Sequence, residues 1–402
     1  MRAFRQPVID DFIARVTEKN PDIERIIEIL SQEFSLSAPE AEALFSHLVA
    51  ELNSRYFPQI SNLEIIHTER CNLACNYCFE ASVRGRNDIS EQMLTKAVDL
   101  LFRYSADAQA LSITHFGGEP LLNFAAVTGS TDYAPKRAKE AGKTIEFNMT
   151  SNCVALTEDM AYELALRKIR VLASIDGLSG SHDSNRVDKN GHGTFTRVLK
   201  AINILKKHQQ WVGGKITVVP ENAGSLYDDV KGLYDLGINQ FVIGHATGVL
   251  WSDEAFEAYS ASIKKIHAWY VEGQRKDLKI NYFDNQRKAP FFGCRAGNNS
   301  IAISAKGDIF GCSKLMPLDA DDSAARLGSV EYGLTHLHNR FEMVDCTVLK
   351  KECEKAALAQ TYLGGCFATN HFSTGDMYKP DLQEQRFLEL QMGFFCPGEK
   401  NH

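Results

Sequence analysis

Between residues 61 and 246 the sequence alternates between strand-like and helix-like hydrophobic patterns. Six segments have the pattern of strands: NLEIIHT, LSITHF, TIEFNMT, IRVLASI, KITVV and QFVIGHA. The spacing of apolar residues between them predicts helices over 89–104, 131–142, 157–167, 194–207 and 224–236. Strands separated by helices pair in parallel. The fold class is therefore α/β, and the units predict a partial (β/α)6 TIM-like barrel with its chemistry at the carboxyl ends of the strands.

Two further regions flank the predicted barrel. Residues 1–55 have helical periodicity, with a helix start at Ser37. A long helix is expected over 252–275, and after residue 285 Gly, Asp and Cys break the chain into short elements. We therefore divide the 402 residues into a helical N-terminal module (1–58), the barrel (59–282) and a C-terminal domain (283–402). The module is either a packing cap or a docking surface for a peptide.

Charge and composition limit the partners that we expect. The net charge is −7, and no basic stripe or arginine-rich arm points to nucleic acid. No apolar run approaches the length of a membrane span, so no membrane partner is expected. The N-terminal stretch lacks the apolar core of a signal peptide. These features together predict a cytoplasmic protein.

The ten cysteines are unevenly placed. In a reducing compartment they are not structural disulfides, and clusters of them indicate metal or iron–sulfur ligands. Cys153 stands alone and is expected to be an ordinary buried thiol. Cys71, Cys75 and Cys78 lie on one short stretch, where three thiolates can hold three irons of a four-iron cluster and leave the fourth iron open. A zinc site with His67 as fourth ligand is the alternative.

The triplet C-x3-C-x2-C after the first strand, with Tyr77 before its last cysteine, resembles the radical S-adenosylmethionine (radical SAM) enzymes. The resemblance implies that Cys71, Cys75 and Cys78 are the catalytic residues and hold a [4Fe-4S] cluster. The open iron would bind S-adenosylmethionine, and cleavage would release a 5′-deoxyadenosyl radical that abstracts hydrogen from the substrate. The protein would orient the cofactor and exclude competing reactions.

Three further motifs carry the same resemblance. In HFGGEPLL, it implies that Gly117 and Gly118 let the backbone approach the methionine moiety and that Glu119 accepts its ammonium. MTSN places Thr150, Ser151 and Asn152 where the family often has Thr-Asn-Gly. SIDG followed by HDSNR is similar to the sulfatase-maturation and peptide-maturation branches. By that similarity, the cofactor-binding set is Tyr77, Gly117, Gly118, Glu119, Ser151, Asn152, Ser174, Asp176 and Arg186, with Arg186 pairing with the cofactor carboxylate.

The late cysteines resemble a SPASM domain, a C-terminal extension that holds one or two auxiliary [4Fe-4S] clusters. Six are present, and two clusters ligated by thiolates alone would need eight. Two positions where the family has cysteine are Ala356 and Tyr362 here. The six can divide as four plus two or three plus three. The resemblance favours Cys294, Cys312 and Cys366 for one cluster, with Cys346, Cys353 and Cys396 for the other. One zinc or iron–sulfur site plus two free thiols is the alternative.

The resemblance implies a peptide-modifying enzyme. A ribosomally made precursor peptide would be cross-linked oxidatively through a thioether or carbon–carbon bond, with flavodoxin or ferredoxin as reductant. An anaerobic sulfatase-maturating enzyme that forms formylglycine is the first alternative. That branch carries an aspartate as base after the cysteine of the G-x4-C element, and Ser313 followed by Lys314 stands here instead. A non-catalytic scaffold that binds clusters is the second alternative.

Overall fold

The computed structural model describes residues 6–209, 211–273, 277–284, 292–318, 325–358 and 364–395. One ten-stranded sheet organises these residues, in the order β10-β9-β8-β1-β2-β3-β4-β5-β6-β7. The strands are β1 (Asn62–Ile66), β2 (Ala110–Phe116), β3 (Thr144–Ser151), β4 (Ile169–Ser174), β5 (Gly213–Val218), β6 (Gln240–His245), β7 (Lys279–Ile280), β8 (Ser300–Ile303), β9 (Asp308–Phe310) and β10 (Arg326–Ser329).

Helices connect these strands and flank them at both ends of the chain. They are α1 (Gln6–Val16), α2 (Ile23–Phe34), α3 (Ala38–Tyr56), α4 (Glu91–Tyr104), α5 (Phe124–Glu140), α6 (Glu158–Leu166), α7 (Ser179–Asp183), α8 (Phe195–His208), α9 (Leu226–Asp235), α10 (Asp253–Glu272), α11 (Asn281–Asp284), α12 (Leu337–Asp345), α13 (Thr347–Lys355), α14 (Phe367–Thr374) and α15 (Leu382–Phe395).

The six strands predicted from the sequence form the parallel centre of the sheet, from β1 to β6. Side-chain alternation explains why they form: in β2, Leu111, Ile113 and His115 are buried while their neighbours are only partly so. The α/β class and the partial barrel are therefore confirmed. One helix differs from its prediction, because α5 begins at Phe124, directly after the short 3-10 turn Pro120–Asn123, and not near residue 131.

The sheet stays open, and the C-terminal region extends it. β8 pairs in parallel with β1, with Asn62 opposite Ser300, although more than two hundred residues separate them. β9 then returns antiparallel through a turn in which Gly307 has φ +92°, as expected from the position of that glycine. The boundary proposed near residue 283 therefore cuts a chain whose sheet is continuous across it.

The N-terminal helices pack together and against the C-terminal region. α3 begins with a capping box between Ser37 and Glu40, as the sequence predicted for Ser37. The fully buried Phe45 and Val49 of α3 share a small hydrophobic core with Leu337 of α12. The helices therefore form a cap whose core includes a C-terminal residue. Among the residues described by the structure, no helix combines the length and the apolar character that crossing a membrane requires.

Candidate active site

The cysteine triplet lies on the loop that leaves the carboxyl end of β1. Backbone hydrogen bonds hold this loop from both sides. The Gly118 and Glu119 N–H groups donate to the carbonyls of Thr68 and Arg70, each at 2.9 Å. On the other side, the Ala74 N–H donates to the Val187 carbonyl at 2.8 Å. The position of the three thiols thus depends on contacts that arrive from two other strand ends.

Glycine is required where the GGE segment crosses the cysteine loop. A Cβ atom at Gly117 would lie 2.6 Å from the Thr68 carbonyl oxygen, and one at Gly118 would lie 2.4 Å from that of Arg70. Gly117 also has φ +131°, which side chains rarely tolerate. These glycines therefore let two backbone segments touch, in addition to any approach they allow to a cofactor.

The three thiols lie in a largely buried, hydrogen-bonded setting. The Leu73 N–H donates to Cys71 Sγ at 3.5 Å, and Asn152 Nδ2 donates to the same sulfur at 3.8 Å. Burial raises the pKa of Cys71 to about 11, and it also raises the pKa of Cys75. Arg84 is near enough to both thiols to oppose that rise. Metal binding would displace the thiol protons, since thiolates are the ligating form.

Glu119 joins the ends of β2 and β3. Its carboxylate accepts hydrogen bonds from the Ser151 hydroxyl and the Asn152 N–H, both at 2.7 Å. A third bond comes from the Leu121 N–H at 3.1 Å. Complete burial raises the pKa of Glu119 to about 7, even though these bonds favour its ionised form. The expected partners Ser151 and Asn152 are therefore bound to Glu119 directly.

Asp176, which follows β4, orients two of the other expected residues. It binds Arg186 through both oxygens, at 2.9 and 3.0 Å, and accepts a hydrogen bond from the Tyr77 hydroxyl. Burial alone would lower the pKa of Arg186, but the Asp176 carboxylate raises it. The guanidinium carbon also lies 5.4 Å from the centre of the Tyr77 ring.

These residues surround one cavity of about 200 Å³. Its lining includes the triplet and eight of the nine expected cofactor-binding residues, namely Tyr77, Gly117, Gly118, Glu119, Ser151, Asn152, Ser174 and Arg186. Asp176 is the ninth, and it does not line the cavity. Its carboxylate accepts hydrogen bonds from Arg186 and Tyr77. A larger cavity of about 830 Å³ adjoins the first and shares Glu80, Arg84 and Gly118 with it.

The charged residues near this cavity that were not predicted from the sequence include Glu64, Glu80 and Lys215. Burial lowers the pKa of Lys215 to about 8 and raises that of Glu80 to about 7. Glu64 Oε2 accepts a bond from the Ser313 N–H at 3.0 Å. The available signal was a single charge inside an apolar strand, as in NLEII and GGKITV.

The zinc alternative at the triplet does not fit this geometry. His67 Nε2 lies 2.8 Å from Nδ1 of His115, and both rings are completely buried. Burial holds the pKa of His67 well below its usual range, so the ring is committed to a neutral histidine pair. In the described part of the chain, no three His, Cys, Asp or Glu side chains are arranged to hold a single metal ion. A four-iron cluster instead spreads its thiolates over separate irons.

The late cysteines fall into one group and one outlier. The charges of Cys366 and Cys346 raise the pKa of Cys294, and those of Cys366 and Cys294 raise the pKa of Cys312, after burial as the main cause in both. Among the described residues, the charged groups that raise the pKa of Cys353 are Glu352 and Glu354, and no cysteine is one of them. This grouping favours four plus two over three plus three. Cys396 and Tyr362 lie outside the described residues.

Cys153 is completely buried, as the sequence predicted for an ordinary thiol. Its N–H donates to the Ser151 hydroxyl at 2.8 Å, which links it to the residues around Glu119. Burial raises its pKa to about 12. Among the described residues, the charge that acts on this thiol comes from Glu119 and not from another cysteine, so Cys153 is not grouped with either set of cysteines.

Comparison with protein families gives a match to the radical SAM superfamily over residues 65–267, about half of the chain. AlbA of Bacillus subtilis, a biosynthesis protein of the antilisterial bacteriocin subtilosin, is 26% identical over 277 residues, which are 66% of this chain and 58% of AlbA. A serine-type anaerobic sulfatase-maturating enzyme of Bacteroides thetaiotaomicron is 30% identical over 179 residues, 42% of this chain and 40% of that enzyme. The chain therefore spans 40% to 58% of the length of these relatives.

Solved structures share the fold at low sequence identity. The structure of anSMEcpe with bound AdoMet has a TM-score of 0.66 at 18% identity and covers 83% of this chain and 95% of that one. The structure of Streptococcus suis SuiB bound to precursor peptide SuiA has a TM-score of 0.52 at 17% identity, with coverage of 76% and 70%. The open parallel sheet and its flanking helices are thus an arrangement seen in both proteins.

Proposed function

The chain belongs to the radical SAM superfamily, and from this premise we propose that it modifies a ribosomally made precursor peptide. It is an enzyme that uses S-adenosylmethionine and a [4Fe-4S] cluster, and its relatives include peptide maturases and sulfatase maturases. The finer proposal is an oxidative cross-link within the peptide, either a thioether or a carbon–carbon bond. The relationship to AlbA supports a peptide as substrate, and so does the likeness to a fold seen with a precursor peptide bound.

The observation that carries the proposal is the convergence of three strand ends on one cavity. The triplet follows β1, Gly117 to Glu119 follow β2, and Ser151 ends β3. When bound there, the cluster and S-adenosylmethionine would supply a carbon radical that removes a hydrogen atom from the substrate. The donor set fits these groups, because three free thiols and a buried carboxylate line the same cavity.

Each residue of the site has a proposed role. Cys71, Cys75 and Cys78 would hold the cluster, while Arg84 offsets the negative charge of the thiolates. Glu119, held by Ser151 and Asn152, would accept the amino group of S-adenosylmethionine. Arg186, fixed by Asp176, would face the cofactor carboxylate with the donor that Asp176 leaves free.

The larger cavity supports a peptide substrate in a second way. Its volume of about 830 Å³ exceeds what a cofactor fragment needs, and it adjoins the cavity that the triplet lines. Glu69, Asp308 and Lys306 are polar residues in its wall, and Phe310 and Phe372 are apolar ones. A wall of this mixed character suits an extended peptide with both polar and apolar side chains.

A cross-link removes two hydrogens from the peptide. One leaves as the abstracted hydrogen atom, and the other leaves as a proton with its electron passed to an acceptor. An auxiliary cluster would serve as that acceptor, and flavodoxin or ferredoxin would supply the electron that starts each turnover. Lys215 lines the cavity without an ion-pair partner among the described residues, so it is a candidate to receive the proton.

Formylglycine formation is the second candidate, and one contact favours it. The aspartate expected of that branch is absent at Ser313, yet Glu64 of β1 places a half-buried carboxylate against the Ser313 N–H at 3.0 Å. Burial raises the pKa of Glu64, as suits a group that exchanges a proton near neutral pH. A carboxylate from another strand would then replace the missing one.

Mass spectrometry tests the proposal. The enzyme would be co-expressed anaerobically with the short open reading frame beside its gene, and the peptide would be fragmented to locate any change. We expect a loss of two hydrogens per modified site with two residues joined. The variants Cys71→Ala, Cys75→Ala and Cys78→Ala should form no 5′-deoxyadenosine. An unmodified peptide, together with conversion of a sulfatase-derived peptide to the aldehyde, would instead support the second candidate.

A further inference from the structure

Four of the late cysteines come from four separate segments and meet at one place. Cys294 precedes β8, and Cys312 follows β9. Cys366 precedes α14, after the turn formed by Gly364 and Gly365, whose φ angles are +90° and +66°. Cys346 sits at the junction between α12 and α13. Convergence from distant points of the sequence is what a shared ligand site requires.

Close contacts place Cys346 in this group. A Cβ atom at Gly293 would lie 2.6 Å from Cys346 Sγ, so the residue before Cys294 touches that sulfur. The Cys294 N–H also acts on the Cys346 thiol through a hydrogen bond. On the far side, a Cβ atom at Gly364 would lie 3.2 Å from the Phe292 ring, which brings the segment of Cys366 against that of Cys294.

The backbone at Cys346 is held in a conformation that costs energy. Its φ of +56° is in the left-handed region, which residues other than glycine seldom adopt. The left-handed residue ends α12 and fixes the direction of the Cys346 side chain. Cys346 also begins α13, where the N-terminal end of the helix favours a thiolate, and Lys350 lies one turn further on.

We propose that Cys294, Cys312, Cys346 and Cys366 hold a single auxiliary [4Fe-4S] cluster with a thiolate on every iron, and that Cys353 takes no part in it. The proposal rests on the family membership and not on the peptide reaction. Cys353 and Cys396 are then the two thiols left over, too few to hold a second four-iron cluster by thiolates alone.

The number of thiolates decides what this cluster can do. A cluster with four thiolates has no iron left for a substrate thiol or carboxylate. It would therefore transfer electrons only, and the sole open iron in the enzyme would be the one at the triplet. Lys314 lines the smaller cavity, and its charge opposes the rise in the pKa of Cys312. It therefore places a cation close to both the cavity and the proposed cluster.

Iron analysis of the reconstituted full chain tests this inference without any substrate. We expect about eight irons per chain for two clusters, against about twelve if there were two auxiliary clusters. In a background with Cys71, Cys75 and Cys78 all changed to Ala, about four irons should remain. About eight irons in that background would overturn the proposal.

Matched single variants in the same background identify the fourth ligand. Cys346→Ser should lower the iron content or produce the EPR signal of a three-iron cluster, whereas Cys353→Ser should keep about four irons and an unchanged EPR spectrum of the reduced cluster. Loss of iron in Cys353→Ser with retention in Cys346→Ser would assign the ligand the other way and refute the proposal.

A ligand-exchange test covers the case in which Cys346→Ser does not fold. The triple-alanine protein would be reduced and its EPR spectrum recorded with and without added β-mercaptoethanol. A closed cluster should give the same spectrum in both samples. A new spectrum on addition of the thiol would show an open iron and contradict the proposed ligand set.

Discussion

At the scale of the residue, burial and hydrogen bonds act in opposite directions on the ionisation of Glu119. Glu119 is completely buried, and its carboxylate accepts hydrogen bonds from Ser151, Asn152 and Leu121. Burial raises its pKa to about 7, so the carboxyl group holds a proton over part of the neutral range. An incoming amino group would favour the ionised form, so cofactor binding and ionisation of Glu119 are linked.

The first prediction concerns this linkage in the protein without cofactors. Because the folded pKa of Glu119 is raised to about 7, the folded state holds the proton more tightly than the unfolded state. The Glu119 contribution to the free energy of unfolding should therefore fall as pH rises from about 5 to about 8, by about 2 kcal/mol. Urea denaturation of Glu119→Gln at both values should show that this part of the pH dependence is lost. An unchanged slope would contradict the raised pKa.

The second prediction concerns the crossing of the two backbone segments. In Gly118→Ala, the added Cβ would meet the Arg70 carbonyl oxygen at 2.4 Å, and a backbone atom next to Cys71 cannot give way cheaply. Forced displacement of this kind costs about 1–3 kcal/mol and moves the cysteine loop. We expect 5′-deoxyadenosine production to fall by about tenfold, measured by chromatography under reducing conditions.

Gly129→Ala is the matched control. Gly129 lies within α5, where a Cβ atom would meet only Leu94 Cδ2 at 3.6 Å, an ordinary contact. Alanine also favours a helix over glycine by about 1 kcal/mol. Activity close to that of the unchanged enzyme is expected. If both glycine variants lost activity equally, the crossing at Gly118 would not be the cause.

The sequence identified those site residues that lie in short contiguous motifs. The triplet, the GGE segment and Arg186 could be read because each motif carries its own spacing. Glu64, Lys215 and the grouping of Cys346 with Cys294 could not, because those contacts exist only once distant strands and helices have met. Local patterns report local geometry, and nothing in a single sequence reports which distant side chains share a cavity.

At the scale of the element, the parallel strands were predictable and their partner at the edge was not. Alternating burial fixes where β1 to β6 lie, and helical spacing fixes most of their connections. The pairing of β1 with β8 depends on long-range register, for which the four residues Ser300–Ile303 give no signal. The short β7 could not be predicted either, because two residues carry no period.

The docking of the helical module depends on Arg340 of α12. Its guanidinium is almost completely buried and donates to the Gly297 carbonyl at 2.9 Å and to the Pro58 carbonyl at 2.6 Å. It also donates to Asn53 Oδ1 at 2.5 Å, at the end of α3. One side chain thus joins the module, the start of the barrel and the C-terminal region. No motif or spacing in the sequence singles out this arginine.

The third prediction is that Arg340→Ala destabilises the fold. The change leaves four acceptors that are buried or partly buried without their donor and removes packing against Phe57. Hydrogen bonds to a charged group are worth about 1.5–3 kcal/mol each, so a loss of at least about 3 kcal/mol in the free energy of unfolding is expected. Chemical denaturation measures it. Arg55→Ala, at an exposed position of α3, should change stability by less than about 0.5 kcal/mol.

At the scale of the whole molecule, the C-terminal region contacts both edges of the open parallel sheet. β8 pairs with β1 at one edge of the parallel centre. Near the other edge, Glu384 of α15 bonds His245 of β6 at 2.8 Å, and Phe387 stacks on the same ring with centres 3.9 Å apart. Lys314 also reaches Thr247 at 2.7 Å. The cavity at the triplet is therefore completed by residues on both sides of the boundary near 283.

The cavity of about 830 Å³ is a wide approach to the smaller cavity that the triplet lines. It lies between the segment after the triplet, which includes Ser82 and Val83, and the hairpin that includes Ala305 and Lys306. A peptide that enters here would pass Glu80 and Arg84 before it reaches the smaller cavity. Substrate access and cofactor binding would thus use different walls of one connected space.

The last prediction separates these two uses. Ser82 is exposed and lines the larger cavity but not the smaller one, so the ring in Ser82→Trp would occupy the approach. Peptide modification should fall by about tenfold, while 5′-deoxyadenosine formed without peptide stays within about twofold. Ala81→Trp adds the same ring to an exposed neighbour that is not part of the wall, and it should modify the peptide normally. Parallel loss of both activities in Ser82→Trp would mean that the ring disturbs the triplet itself, and full modification would mean that the peptide enters elsewhere.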